Sequence, residues 1–150
     1  GSTLNHATFL RRLLEENPDL NVVHIGSRAY SREEIEFVSK KHIKFFNVLS
    51  TQRGEIDFKD LGRVYMSIDM DVFDPAYAPG VSNPEPFGID PIVFMNILKS
   101  IYENSSKILA VDIVEVNPLV DPSGVTSTLA AKIVVEISGL YVVSYKEKFT

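Results

Sequence analysis

The chain has 150 residues, 45% of them hydrophobic and 23% charged, with a net charge of −5 and no cysteine. That length suits one ordinary domain burying roughly 70% of the surface its unfolded form exposes, and the composition argues against disorder and fibrous repeats. The lack of thiols excludes disulfides and leaves only oxygen or imidazole to hold a metal, the acidic balance argues against nucleic acid, and no apolar run approaches the ~18 residues expected of a membrane helix.

Gly1-Ser2 resembles the remnant of a cleaved tag and no signal-peptide pattern follows it; the lack of cysteine suits a reducing cytosol, and a cytoplasmic location is expected. Phe9, Leu10, Leu13 and Leu14 recur at helical spacing and predict a helix over 6–16. Residues 21–26 read as a buried strand, and "SREEIEFVSKKH" then opens a helix with Ser31 as cap and Glu34 three residues later. Further strands are predicted over 43–48, 64–69 and 108–113. Asp90-Pro91 starts a helix reaching about Glu103, and residues 127–145 give the longest helix. Strands alternating with helices imply βαβ units, hence an α/β fold with a mainly parallel sheet. The Pro/Gly-rich stretch 75–88 is too long for a simple connection and reads either as a functional loop or as a floppy surface one.

"SIDMDVFDP", residues 67–75, runs a buried-looking strand into three carboxylates. Residues two apart on a strand face the same side, so Asp69 and Asp71 can converge at its carboxyl end, where open α/β sheets place ligands; Asp74 belongs to the following turn. Ser27-Arg28, Glu115 and the loop through Asn83 leave the same edge. A DxD pair can hold one divalent cation or bridge two, and it can equally cap a turn through backbone N–H groups. Glu115 can meet a cation, serve in acid-base work or be a solvated strand-end charge. His6 can relay protons at a helix start or be an ordinary surface histidine. His24 and His42 read as structural, and Arg28 as the partner of a nearby Glu.

The order SxDxDxxDPxxAPG followed by PEPxG, spelled here "SIDMDVFDPAYAPGVSNPEPFG", resembles the signature of the ureohydrolase family, the arginases and agmatinases. "NHATFLRR", "VVHIGSR" and "DIVEVNPLVDPSGVTSTLAAKIVVEI" agree with it, so the resemblance spans residues 5–145. It implies a three-layer α/β/α arginase-like fold, with Asp69 and Asp71 as two carboxylate ligands of a binuclear Mn2+ centre. It also implies that Glu115 receives the substrate guanidinium and that His6 shuttles protons or contacts substrate. In the family's chemistry the two metals activate a water that attacks the guanidinium carbon, releasing urea and an amine. Arginases carry acidic residues just after IGxR; here Ala29, Tyr30 and Ser31 follow Arg28, favouring agmatine, cleaved to putrescine and urea in polyamine biosynthesis, over arginine. Arginase, guanidinobutyrase and a non-catalytic family-fold subunit are the alternatives.

The family's upstream GGDH and DxHxD elements, which supply the remaining ligands, do not occur in these 150 residues. Residues 3–150 are therefore expected to be the C-terminal half of a single ureohydrolase domain. The sheet would be incomplete and the isolated piece inactive, with the N-terminal half as its natural partner. The resemblance further implies a homo-oligomer, a trimer or hexamer, and neither nucleic acid nor membrane as partner.

Overall fold

The computed structural model describes residues 8–41, 43–59 and 61–147. The chain divides into two compact units, one from Gly1–His24 with Ser31–Phe45, the other from Ile25–Tyr30 with Phe46–Thr150. Among the described residues the strands form two two-stranded sheets, β1 (Val23–Ser27) with β2 (Lys44–Asn47), and β3 (Gly62–Asp69) with β4 (Ser105–Val114).

In the first unit, α1 (Phe9–Glu16) buries Leu14 and pairs Arg11 and Arg12 with Glu15 on its exposed side. Helix α2 (Arg32–Lys40) starts with the reciprocal cap its sequence predicts: the Glu34 amide donates to Ser31 Oγ at 3.2 Å, and the Ser31 amide to Glu34 Oε2 at 2.5 Å. The Arg11 guanidinium lies 5.9 Å from the centre of the Phe37 ring. His24 stacks on Phe45 at 5.5 Å, in keeping with the structural role expected of it.

In the second unit the chain leaves β2 one residue before the expected strand end and turns into α3 (Val48–Gln52). Asn47 is the reason: its side chain accepts from the Ser50 amide at 3.0 Å and caps the new helix, overriding the apolar run that suggests a longer strand. Strand β3 alternates cleanly, with Met66 and Ile68 buried and Tyr65, Ser67 and Asp69 on the exposed face. It pairs in parallel with β4, Ile68 opposite Ile113 and Asp69 opposite Val114.

Helix α4 (Pro91–Asn104) makes the crossover between these two strands. Asp90 caps it by accepting from the Ile92 and Val93 amides at 2.7 and 2.9 Å, an interaction worth about 1 kcal/mol, and Pro91 presets the first turn. Phe94, Leu98 and Ile101 recur at helical spacing and form its buried face, with Phe94 tilted against Phe73 at 5.2 Å. Helix α5 (Val125–Glu147) buries Thr126, Ala130 and Ile133 and accepts a hydrogen bond at Ile137 O from the Tyr102 hydroxyl, 3.2 Å. Contrary to the sequence expectation that no apolar run approaches membrane-helix length, its segment Val125–Val142, mean hydropathy 1.4, is by length and composition long and apolar enough to cross a membrane. The charges that interrupt this run in the sequence, Lys132 and Glu136, lie one turn apart and pair with each other.

Candidate metal and substrate site

At the carboxyl end of β3, Asp69 Oδ1 accepts from the Asp71 amide at 2.8 Å and caps a single 3-10 turn, Met70–Val72. Of the two readings of the DxD pair, the turn cap is the one the hydrogen bonds show at Asp69, which stands at the end of the strand. Asp71 differs. Its Oδ1 is buried and has no hydrogen-bond partner among the described residues. Burial first, then the charges of Asp69 and Glu115, push its carboxyl up to about 6, against a smaller opposing pull from Arg28. Those influences place Asp69, Asp71, Glu115 and Arg28 within electrostatic reach of one another. Glu115 follows Val114, the β4 residue opposite Asp69, and is half-buried. Its φ of 64° lies in the left-handed region, an uncommon conformation for a side chain other than Gly, Asn or Asp.

Asp74 and Asp121 are carboxylates of another kind. Asp74 accepts from the Ala76 amide at 2.9 Å and the Gly88 amide at 3.1 Å, bonds that hold its pKa below the ordinary value. Asp121, 5% exposed, accepts from Ser123 Oγ at 2.5 Å and the Thr126 amide at 2.9 Å, and is pulled down to about 2.

These acids fix the 75–88 stretch, which is structured. The Gly80 amide donates to Thr126 Oγ1 at 2.7 Å, and Gly80 O accepts from the Asn117 amide at 2.7 Å. Ala78, Gly80, Val81 and Gly88 are buried. At Gly88 the backbones touch so closely that a Cβ would stand 2.3 Å from Asp74 N.

Arg28 does not take a Glu side chain as its hydrogen-bond partner, contrary to the sequence expectation. Its guanidinium donates to backbone carbonyls of Asp71, Val72, Phe73, Glu85 and Pro86, and among the described residues it forms no ion pair. A second feature without a clear sequence signal lies on the exposed β3/β4 face. Ser67 Oγ donates to Asp112 Oδ1 at 2.6 Å, and the Tyr65 hydroxyl donates to the other oxygen of the same carboxylate. Only the strand register, Ser67 opposite Asp112, brings these residues together.

The structure thus gathers Asp69, Asp71 and Glu115; His6 and His42 lie outside the described residues. Among the described residues, no three His, Cys, Asp or Glu side chains form a ready metal site. The chemistry of the donors still fits a hard divalent cation, since Asp71 Oδ1 is a buried acceptor with no hydrogen-bond partner among the described residues. The fit is that of part of a ligand set. An open cavity of about 410 Å3 lies apart from these acids, lined by Leu49, Tyr77, Phe87 and Asp74 among others, and none of Asp69, Asp71 or Glu115 borders it.

Residues 1–139 match the model of the Arginase family, and the chain belongs to that family. It is 35% identical to the agmatinase of Bacillus subtilis over 140 residues, covering 91% of this chain and 48% of that one. It is 31% identical to mitochondrial arginase 1 of Oryza sativa subsp. indica, covering 92% of this chain and 42% of that one. The solved agmatine ureohydrolase of Thermoplasma volcanium superposes with a TM-score of 0.82 at 36% identity, covering 98% of this chain and 51% of that one. The fold is arginase-like α/β, and the chain spans about half the length of the relatives it matches.

Proposed function

We propose that this chain carries Asp69, Asp71 and Glu115 of a metal-dependent hydrolase of guanidino compounds, with agmatine as substrate. The observation that carries this reading is the buried, unpartnered oxygen of Asp71 beside Asp69 and Glu115 at the carboxyl edge of two parallel strands. A fold gains nothing from a desolvated acceptor of this kind unless a cation meets it. Asp69 and Asp71 would hold manganese, which when bound supplies an activated water for attack on the guanidinium carbon. Glu115 offers a planar carboxylate that can receive the guanidinium in a bidentate fork and fix its carbon near the metal edge. His6 serves as the proton-carrying group of this reading. The choice of agmatine is supported by the absence of an acidic residue at Ala29, Tyr30 and Ser31, where an amino-acid head group would need a partner.

The remaining metal ligands are proposed to come from another stretch of polypeptide, completing the arginase-like domain in a cytoplasmic homo-oligomer. The partial ligand set among the described residues and coverage of about half of each relative support the first part of this; the assembly rests on the family resemblance alone, and the location on that and the lack of cysteine. The chain alone should therefore bind manganese weakly and release no urea from agmatine. Calorimetric titration with Mn2+ tests the metal reading: weak binding abolished in the Asp69→Ala/Asp71→Ala double variant supports it. Equal binding in both proteins overturns it. Urea release on agmatine, arginine and 4-guanidinobutyrate, measured after the chain is joined to the family's GGDH and DxHxD half, tests the substrate. Preference for arginine would overturn the agmatine assignment.

A further inference from the structure

Arg28 reaches the acid turn by a route that only glycine permits. At Gly26, φ 88°, β1 passes Val72 so closely that a Cβ would stand 2.4 Å from Val72 Cγ2. Two residues later the guanidinium meets two separate groups of carbonyls. From the 3-10 turn come Asp71 O at 2.7 Å, Val72 O at 3.3 Å and Phe73 O at 3.3 Å. From the far end of the long loop come Glu85 O, at 2.5 Å from Nη2 and 3.0 Å from Nε, and Pro86 O at 3.1 Å from Nε. Successive carbonyls at the end of a short turn lack intrahelical donors and need partners from elsewhere. A planar guanidinium can serve several at once in fixed directions, and a lysine ammonium on a flexible stem cannot.

We infer that Arg28 is a positioning residue, a cationic clamp that ties the backbone of the Asp71 turn to that of residues 85–86. The carboxylate of Asp71 and the 75–88 loop are thereby held as one unit. The clamp acts through backbone, so it sets where the Asp71 side chain stands without itself touching metal or substrate. Its bearing on the metal rests on the function proposed above; its mechanical part does not.

The test uses amide hydrogen exchange by NMR on the intact chain and its Arg28→Met and Arg28→Lys variants. The reporters are the Gly88 amide, bonded to Asp74 Oδ2, and the Ile89 amide, bonded to Val72 O at 3.0 Å. Both should exchange about tenfold faster or more in either variant, while Leu98 in α4 and Ile113 in β4 stay within about twofold of the parent. Mn2+ should broaden the Asp69 and Asp71 amide signals in the parent and much less in the variants at equal folded fraction. Unchanged exchange at Gly88 and Ile89, or an equal rise at Leu98 and Ile113, overturns the clamp. So does full rescue by Arg28→Lys, manganese broadening in the variants equal to the parent's, or loss of the whole fold in both variants. A parent chain without broadening overturns the metal reading instead, and the exchange comparison still decides the clamp.

Discussion

Two kinds of aspartate sit within one short stretch of chain. Asp74, and with it Asp121 at the foot of α5, has its oxygens filled by amides and hydroxyls, and both pKa values lie below the ordinary range. Asp71, three residues before Asp74, has a buried oxygen with no donor among the described residues and a pKa raised to about 6. Hydrogen bonds to a carboxylate favour its charged form, whereas burial beside other carboxylates disfavours it. The contrast separates acids that hold the loop from an acid that the loop holds in place. A structural acid brings its own stabilisation; on the function proposed above, Asp71 is an acid that waits for a cation to supply it.

The largest effect expected is on the holding side. Gly88→Ala puts a methyl group 2.4 Å from Phe73 C and 2.3 Å from Asp74 N, contacts that only backbone movement can relieve, and should cost about 3 kcal/mol or more. Urea denaturation reads it directly, and an unchanged midpoint would mean the loop is not seated where these contacts place it. Asp121→Asn comes next. The folded pKa near 2 lies below the ordinary 3.8, so the stability Asp121 contributes is present above about pH 4 and lost as pH falls through 2. The parent should lose thermal stability steeply between pH 4 and pH 2, and the variant, already weaker at pH 7, should show a flatter acid limb. Parallel acid limbs would break the comparison from this side.

Asp71→Asn tests the other side, with the opposite sign. Its folded pKa is raised, so its favourable contribution is present below about pH 4 and lost as pH rises through 6. In metal-free protein the substitution should therefore stabilise at pH 7.5, by about 1 kcal/mol after allowance for solvent screening, and remove the decline between pH 4 and pH 7. Millimolar Mn2+ should raise the melting temperature of the parent and not of the variant, because a ligand that binds only the native state shifts its stability. Destabilisation by Asp71→Asn in metal-free protein would place Asp71 among the structural acids.

What the sequence makes legible follows from how local each interaction is. The Ser31–Glu34 cap and the Asp90-Pro91 helix start rest on contacts within four residues, and both stand where the pattern puts them. Asp69 and Asp71 do stand close together, but not by strand periodicity: β3 ends at Asp69, and Asp71 lies in the 3-10 turn that Asp69 caps. Helix α3 was hidden because its apolar Val48 and Leu49 prolong a strand-like run, and the Asn47 cap is a quieter signal than hydrophobicity. The partners of Arg28 were hidden more deeply. It binds main-chain carbonyls 43 to 58 residues away, and a carbonyl leaves no mark in the amino-acid order. The pairing of Ser67 and Tyr65 with Asp112 likewise depends on register.

Glu115 gives the smallest effect and sharpens the comparison most. It holds φ 64° at the end of β4, where a glycine would sit without penalty, and a left-handed conformation costs an ordinary side chain about 1–2 kcal/mol. Glycine also gives the unfolded chain more freedom, which offsets part of that gain. Glu115→Gly should therefore be neutral or stabilise by at most about 1 kcal/mol in thermal unfolding. In the chain joined to its family's other half, the same variant should raise KM for agmatine or abolish turnover, since on the function proposed above Glu115 is the carboxylate that receives the guanidinium. Ala at this position keeps the strain and loses the carboxylate, so Glu115→Ala should share the functional loss without the relief. If Glu115→Gly instead destabilises the fold clearly more than Glu115→Ala, the left-handed backbone is not strained at all. A clear loss of stability in both variants would be the result that places Glu115 with Asp74 and Asp121, as an acid that serves the structure. The expected order, Gly at least as stable as the parent and both substitutions functionally impaired, marks a conformation retained for the position it gives a carboxylate.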